Sequence, residues 1–317
     1  MSITAKIIAI SIAPDGQLIV TWELEYQRFI HGEFMTHRLF SRNAASSRAI
    51  PVATIIDQVR NNPAKPIHWG QNMPGMQAKA ELSTFRKKAA QKLWKIAAKS
   101  ACKVAEAMTR IGLHKQVANR ILEPFQTMKT VMTATCMENF FWLRNHEDAQ
   151  PEIRELARLM WEELERCLPF AQKLKPGQWH TPYVWSGTHV ETGEFVYYIL
   201  DKDGEQEFLT LEEALQVSSS CCAQVSYRKL DDTLEKAQMV YKRLVDSEPV
   251  HASPFEHQAK PITPCDGSIN LRAYQGDWEP GITHMDRNGQ LWSGNFVGWI
   301  QHRQLIPNNV APSRKGK

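Results

Sequence analysis

The apolar pattern of the first thirty residues predicts a β-hairpin. The longest apolar run, Lys6–Ala13, has the length of a strand, and a second β-rich run covers Leu18–Phe29. Between them, Pro14-Asp15-Gly16 carries residues that are typical of turns. We therefore expect two paired strands at the start of the chain.

Helical composition dominates the middle of the chain. The predicted helical stretches are one helix-sized piece within 51–75, residues 76–120, residues 126–170 ending near Pro169, and residues 211–247. Turn residues and short strand-like runs separate the last two and predict a β-rich connector over 171–215. From Pro249 onward the chain is rich in loop residues. The order of elements predicts an α+β protein in three parts: 1–170, 171–215 and 216–317.

Composition narrows the class of protein. The 317 residues are 43% apolar, yet no apolar run approaches the roughly 20 residues of a membrane span. We expect no membrane span, and the first residues do not resemble a signal peptide. The six cysteines form no CxxC, which favours free thiols in a reducing cytoplasm and no structural metal site.

Charge points to small anionic ligands rather than to nucleic acid. The net charge is only +4. Between Lys79 and Arg120, however, eleven Lys and Arg face two Glu, which predicts a long amphipathic helix with a solvated basic face. The alternative interpretation is a wall that attracts anions near a nucleotide or folate site.

Candidate chemistry is concentrated in residues 36–48, which follow the second predicted strand. This stretch, Thr-His-Arg-Leu-Phe-Ser-Arg-Asn-Ala-Ala-Ser-Ser-Arg, holds one His, three Arg, one Asn and three Ser. Arginine forks bind phosphate bidentately, and hydroxyls and exposed amides complete an anion cradle. The residues therefore predict a phosphate-binding segment.

This segment resembles the signature R-H-R-x-x-S-x-N-E-x-S-x-R of flavin-dependent thymidylate synthases (ThyX). It matches at His37, Arg38, Ser41, Asn43, Ser46 and Arg48, whereas Thr36 and Ala44 depart from the pattern. A second block, Asn139–Arg144 followed by Ala149–Arg154, resembles the N-F-x-x-L-R…A-Q-x-E-I helix of the family.

A third block resembles the family motif V-S-Y…H-x-[ST]-P-F-E-H. It comprises Val225-Ser226-Tyr227 and His251–His257. Read without the family, Ser253 and Glu256 have the spacing of a helix capping box. In the family this block precedes the others, so the chain resembles a permuted or duplicated member. A weak echo of residues 36–43 in Gln301-His302-Arg303…Asn308 favours duplication.

The resemblance implies a core of antiparallel sheet packed with long helices, carrying a β-rich insertion. It also implies methylation of dUMP at C5 to dTMP, with FAD as cofactor and NADPH and methylenetetrahydrofolate as co-substrates. Family members are homotetramers, so a homo-oligomer, dimer or tetramer, is expected. No nucleic-acid or membrane partner is implied.

The resemblance also assigns roles to residues. Arg144 and His251 are expected to take part in the reaction. The substrate-binding set is Glu33, Ser46, Arg48 and Arg144, and the FAD-binding set is His37, Arg38, Ser41, Asn43, Asn139, Ser253 and Glu256. No metal ligand is expected. His31, His68, His114, His180 and His284 receive no role.

Departures from the family pattern leave the substrate open. Glu33 stands where the family has Gln, and Thr135 stands where it has a flavin-facing Arg. A carboxylate only accepts hydrogen bonds, whereas an amide also donates them, so the base could be cytosine in dCMP, or the group transferred could be hydroxymethyl. Gln301 and Arg303 are candidates to replace the missing groups.

Three other classes of function remain as alternatives. One is a conventional thymidylate synthase with Cys221 or Cys222 as nucleophile, although a buried small hydrophobic role is favoured for both. Another is a nucleic-acid binder that uses the basic 79–120 stretch and the scattered tryptophans. The last is a flavin-binding homologue without catalytic activity.

Overall fold

The computed structural model describes residues 3–75, 77–226, 231–263 and 278–311. The helices are α1 (His31–Phe34), α2 (Val52–Asn61), α3 (Thr84–Arg110), α4 (Lys115–Ala118), α5 (Glu138–Arg144), α6 (Pro151–Cys167), α7 (Leu211–Ala223) and α8 (Leu234–Val245). The strands are β1 (Thr4–Ile12), β2 (Leu18–Gln27), β3 (Ser41–Ala44), β4 (Thr127–Ala134), β5 (Gln172–Lys173), β6 (Trp185–Thr188), β7 (Phe195–Leu200), β8 (Gln206–Leu209), β9 (Ala259–Pro261), β10 (His284–Met285), β11 (Leu291–Ser293), β12 (Phe296–Val297) and β13 (Trp299–Gln301). Tyr227, Cys265 and the basic tail 312–317 lie outside the described residues.

A five-stranded sheet in the order β3-β4-β2-β1-β5 forms the centre of the protein. Its neighbours are antiparallel except β1 and β5, and the predicted β1–β2 hairpin is confirmed. The turn between these two strands contains Gly16 with φ +88°, a conformation that side chains other than glycine rarely adopt. Helix α6 packs against the sheet and buries Ile153, Leu156 and Met160 with Trp22 in one apolar core. The mixed α+β class is therefore confirmed, whereas a family-type core remains a prediction.

The prediction of helix from residue 126 is wrong for Thr127–Ala134. This segment is β4, which pairs with β2 on one edge and β3 on the other. Its Met, Lys and Ala residues have high helix propensity, but propensity is a weak predictor that tertiary contacts often override. Pairing on both edges satisfies the backbone and buries Met128, Val131 and Met132, so tertiary context overrides local propensity. Helices α5 and α6 then follow as expected.

The long basic helix is confirmed as α3. It buries only a narrow face of small residues, Ala98, Ala101, Cys102 and Ala105, in a cluster shared with α2 and with residues of the 119–125 segment. Its lysines other than Lys87 are exposed, as predicted for a solvated basic face, whereas Lys87 is partly exposed and pairs with Glu81. Among the described residues, no helix combines the length and apolar character that a membrane span requires.

The second half of the chain adds three small sheets. Strands β6, β7 and β8 form one of them within the stretch that was predicted to be β-rich. Strand β9 pairs with β13, and β10, β11 and β12 form the third. The three-part division of the chain, and the status of 171–215 as an insertion, remain predictions.

A continuous chain of buried hydrogen bonds joins this second half to the central sheet. Ser11 Oγ bonds His180 Nδ1 at 2.9 Å, and His180 Nε2 bonds Thr21 Oγ1 at 2.8 Å. Thr21 Oγ1 bonds Thr133 Oγ1 at 2.7 Å, and Thr133 Oγ1 bonds His257 Nδ1 at 2.9 Å. All five residues are buried. Buried polar groups are costly unless they are paired, so this chain specifies how the two halves fit together.

Replacing the central member of this chain tests its contribution. Thr133→Val keeps the shape of the side chain but removes the hydroxyl that contacts both Thr21 and His257. We expect the free energy of unfolding to fall by about 1–3 kcal/mol, because buried partners lose a hydrogen bond. Urea denaturation followed by circular dichroism measures this change.

Thr188→Val is the matched control for that substitution. Thr188 is an exposed strand residue of β6, so its replacement should change the free energy of unfolding by no more than about 0.5 kcal/mol. Equal effects of the two substitutions would show that the buried chain contributes nothing specific.

The two buried histidines also predict a dependence of stability on pH. Burial lowers the pKa of His180 to about 3, with a further contribution from His257, and burial lowers the pKa of His257 to about 3. Between the ordinary pKa of 6.5 and a pKa of about 3, the unfolded chain binds protons that the folded chain does not. We therefore expect stability to fall as the pH drops through this window.

Thermal denaturation between pH 7 and pH 4 measures this loss, and the variant H257N should reduce it because one titrating group is gone. A wild-type curve that is flat over this range, or one that H257N leaves unchanged in slope, would contradict the prediction.

Candidate active site

Three of the residues singled out in the sequence meet at the end of α5. Arg144 donates through Nε to His37 Nε2 at 2.9 Å and through Nη1 to the Glu33 carboxylate. Both members of the ion pair are partly exposed, with 22% of the Arg144 side chain and 29% of the Glu33 side chain accessible. The structure therefore brings two motif blocks, separated by a hundred residues of chain, into direct contact.

Glu33 and Arg144 line a cavity of about 1040 Å³. The first turn of α6 supplies a second wall, with Gln150, Glu152 and Arg154. The other residues that line the cavity come from three segments of the first half of the chain: Phe29; Pro66, Ile67, His68, Gln77, Ala78 and Lys79; and Glu147, Asp148, Ala149, Pro151, Glu155 and Arg158. Sites for organic ligands commonly measure about 300–1,000 Å³, so this cavity has room for a nucleotide together with a second ligand.

His37 is neutral in this environment. Burial lowers the pKa of His37 to about 4, and the nearby Arg144 and Arg42 guanidiniums add to this effect. Because His37 Nε2 accepts a hydrogen bond from Arg144, we assign the ring proton to Nδ1. His37 is therefore an acceptor that orients the guanidinium of Arg144.

The turn that carries Glu33 and His37 is held by local contacts. Thr36, which replaces an arginine of the family pattern, donates through Oγ1 to the Glu33 carbonyl at 2.7 Å. The His37 ring packs edge-on against Phe140 at 4.9 Å and stacks with Phe40 at 5.9 Å between ring centroids. Thr36 thus stabilises the turn and supplies no charge.

The middle of the 36–48 segment, Ser41–Ala44, forms strand β3 rather than a loop cradle. Ser41 is 1% exposed, and its hydroxyl accepts a hydrogen bond from Gln301 Nε2 at 3.2 Å. Asn43 donates through Nδ2 to the Cys222 carbonyl at 3.2 Å. The polar groups of Ser41 and Asn43 are therefore engaged with the second half of the chain.

Gln301 and Arg303, the two candidate replacements in the C-terminal echo, contact residues of the predicted flavin-binding set. Gln301 reaches Ser41 and also donates to the backbone carbonyl of Glu256 at 3.4 Å. Arg303 forms an ion pair with the Glu256 carboxylate. The capping-box interpretation of Ser253 and Glu256 is wrong, because Ala252 is the cap of the short 3₁₀ segment, no side-chain cap bond forms, and Glu256 pairs with Arg303 instead.

Other predicted site residues lie on the surface. Arg38, Arg48, Asn139, His251 and Ser253 are exposed. Within the described part of the chain, no hydrogen bond joins any of them to Glu33, His37 or Arg144. Ser46 accepts from the backbone N–H of Arg48 at 3.3 Å.

Thr135 does not face this cavity. It is 1% exposed, and its hydroxyl accepts from the backbone N–H of Val297 at 3.0 Å. The residue that stands in place of a flavin-facing arginine therefore anchors strand β12 to the end of β4.

The structure disfavours a cysteine nucleophile. Cys221 and Cys222 are both fully buried in α7, and burial raises the pKa of each thiol above its ordinary value. A nucleophilic cysteine needs access and a stabilised thiolate. Both residues act as small apolar core residues, which is the role that the sequence analysis favoured for them.

Gln150 and Glu152 lie in the second motif block without an assigned role, yet both build the wall of the cavity. Gln150 caps α6 by accepting from the Ile153 N–H at 3.2 Å, and its side chain donates to Glu152. Glu152 is buried and accepts from the Ile67 N–H at 2.7 Å, which attaches the 66–79 wall to α6. Arg42 contacts the turn of His37. Gln150 before Pro151 is a helix-start signal that could have marked this wall.

Comparison with known proteins finds a match for the first half of the chain. Residues 17–170 match the family model described as thymidylate synthase complementing protein. The match covers just under half of the chain and includes Glu33, His37 and Arg144. The resemblance to flavin-dependent thymidylate synthases is thereby confirmed for the first two motif blocks, whereas the third block lies beyond the matched residues. No curated protein matches the chain.

Two solved structures also show weak similarity. Both are of a UMP/dUMP methylase, PolB from Streptomyces cacaoi. The structure bound with 5-Br UMP has 16% identity and a TM-score of 0.43, covering 52% of this chain and 89% of that chain. The structure bound with 5-Br dUMP has 15% identity and a TM-score of 0.44, covering 52% of this chain and 90% of that chain. These scores are too low to assign a shared fold.

The electrostatic link between Arg144 and His37 can be tested directly. Arg144→Met removes both a hydrogen-bond donor and a nearby positive charge. We expect the pKa of His37 to rise from about 4 but to stay below 6.5, because burial, the largest cause, remains. Titration of the His37 ring by NMR measures the shift.

Arg154→Met is the control for this measurement. Arg154 lines the same cavity but does not contribute to the pKa of His37. A His37 titration that moves equally in both variants would contradict a specific role for Arg144.

Proposed function

We propose that this protein methylates dUMP at C5 to form dTMP, using methylenetetrahydrofolate as the carbon donor and NADPH as the reductant. One observation carries the proposal: Glu33 and Arg144 line a cavity of about 1040 Å³, and His37 accepts a hydrogen bond from Arg144 behind that lining. All three lie in the segment that matches the model of the thymidylate synthase complementing protein family. The placement of a half-buried guanidinium beside a nucleotide-sized cavity supports pyrimidine nucleotide chemistry.

In this proposal, Arg144 binds the nucleotide. Glu33 and His37 occupy Nη1 and Nε of its guanidinium and hold the group in one orientation. The donors that remain are available to a phosphate or to a pyrimidine carbonyl. A preorganised cation at the carbonyl stabilises the negative charge that develops when C5 attacks. Lys79 and Arg154 add positive charge to the cavity wall.

Flavin binding is the second part of the proposal, and the residues present fit FAD in part. The exposed guanidiniums of Arg38 and Arg48 suit a diphosphate, and Asn139, another member of the predicted FAD-binding set, is also exposed. Ser41 is buried and Glu256 is paired with Arg303, so we assign these two residues to support of the site rather than to direct contact. FAD, when bound, supplies the redox chemistry.

A dimer or tetramer remains our expectation. The exposed positions of Arg48, His251 and Ser253 are compatible with a site that another copy of the chain completes.

Glu33 favours dCMP as a second candidate substrate. Its carboxylate lines the cavity, and a carboxylate accepts from an amino group such as N4 of cytosine but cannot donate to a uracil carbonyl. The residue therefore bears on the choice of base, not on the class of reaction.

The decisive experiment is a competition assay. The protein is incubated with FAD, NADPH, methylenetetrahydrofolate and equal amounts of dUMP and dCMP, and the products are identified by mass spectrometry. We expect a methyl gain on dUMP, and we expect Arg144→Met to abolish it because the nucleotide loses its cation. The variant E33Q should shift the product ratio further toward dUMP, since an amide can donate to uracil.

Each other outcome has a defined meaning. A gain on dCMP, or a hydroxymethyl gain, would keep the reaction class and replace the substrate or the transferred group. Bound flavin with no product from either nucleotide would overturn the catalytic proposal in favour of a flavin-binding homologue. Product formation that survives Arg144→Met would remove Arg144 from the site.

A further inference from the structure

Arg42 occupies a position of the 36–48 segment for which the family signature specifies no residue. It lies on β3, directly after Ser41. Its side chain donates through Nη1 to the carbonyl of Phe34 at 2.8 Å and to the carbonyl of His37 at 3.0 Å. One guanidinium therefore ties the strand to two points of the turn that carries Glu33 and His37.

These carbonyls have weak partners of their own. The N–H of His37 reaches the Phe34 carbonyl only at 3.4 Å, and the N–H of Phe40 reaches the His37 carbonyl only at 3.3 Å. The end of the short helix α1 thus leaves its carbonyls poorly satisfied by the backbone. The shorter bonds from Arg42 are the stronger restraint on this turn.

The environment of Arg42 is that of a fixed internal cation. Its guanidinium lies 5.8 Å from the centre of the Phe34 ring. Among the described residues it forms no salt bridge. Burial lowers the pKa of Arg42, and the nearby Tyr26 and Glu256 partly offset this effect. It is not one of the residues that line the cavity. These contacts favour a role through the backbone of the turn over direct contact with a ligand.

We propose that Arg42 is a positioning residue for the candidate active site. By bridging the Phe34 and His37 carbonyls, it holds the turn in the conformation that presents Glu33 and His37 to Arg144. The effect on activity rests on the proposed function, whereas the effect on the geometry of His37 does not.

Lysine cannot replace arginine in this role. A lysine ammonium retains the charge near His37, but the lysine side chain is one bond shorter than the path to Arg42 Nη1. It also lacks the planar N–H pair with which Nη1 donates to both carbonyls. Comparison of Arg42→Lys with Arg42→Met therefore separates geometry from charge. Arg86→Met is the matched control, because Arg86 is an exposed arginine on α3.

The first measurement is the state of the His37 ring by nitrogen-15 NMR. In the wild type we expect a single neutral tautomer with the proton on Nδ1. In both Arg42 variants we expect a mixture of tautomers, because the Arg144–His37 bond is no longer held. The pKa of His37 should rise in Arg42→Met, where a cation is lost, and should move less in Arg42→Lys.

The second measurement is methylation kinetics. We expect kcat/KM to fall about 10- to 100-fold in both variants, because a small displacement of a binding group is costly. Arg86→Met should retain the wild-type value. The thermal midpoint of Arg42→Lys, measured in parallel, shows whether that variant is folded under the assay conditions.

Two results would overturn the proposal. One is a folded Arg42→Lys protein with the wild-type tautomer of His37. The other is wild-type kcat/KM in both Arg42 variants. If the wild-type protein itself forms no product, the proposed function fails, and the NMR measurement alone decides the role of Arg42.

Discussion

The buried hydrogen-bond chain from Ser11 to His257 is the constraint on which the arrangement of this protein depends. It crosses β1, β2 and β4 and ends on the residue that follows the short Ser253–Glu256 segment. The backbone of His180 also pairs with Ala259 at the start of β9. A displacement of the second half would break the hydrogen bonds of several fully buried polar groups, so the observed docking of the two halves is strongly favoured over others.

That docking determines which residues meet around β3. With His257 held against Thr133, the preceding segment and strand β13 lie beside Ser41. Glu256 then meets Arg303, and Gln301 meets Ser41. Motif residues that are far apart in the chain, and in an order unlike the family pattern, therefore become neighbours in space. Burial lowers the pKa of Arg42, and the same arrangement places the Glu256 carboxylate close enough to offset part of this effect.

The cavity depends on a second set of contacts, all within the first half of the chain. Arg144 reaches back to the α1 turn, and Glu152 holds the 66–79 wall through the Ile67 N–H. Thr36 donates to a backbone carbonyl, and Thr135 anchors β12, so neither replacement carries the charge that the family pattern has there.

Local pattern predicted the β1–β2 hairpin and the long helix α3, because each depends on residue spacing and turn chemistry within one segment. The same approach was wrong for β4, whose strand conformation comes from pairing on both edges. It was also wrong for the cap at Ser253, since Glu256 has a stronger partner in Arg303. His180 received no role, because a single histidine in a sequence carries no sign of buried partners.

By itself, then, the sequence determined the resemblance of residues 17–170 to a known family and the residue types available for phosphate and nucleotide binding. Those properties reside in short motifs, where chemistry and spacing are local. Only the tertiary structure decided that Glu33, His37 and Arg144 meet. It also decided that Gln301 contacts Ser41 and that Arg303 contacts Glu256. The hydrogen bonds from Arg42 to the Phe34 and His37 carbonyls were equally outside the reach of the sequence. These contacts join segments distant in the chain, and they depend on how the polar groups of the core find partners when the two halves pack.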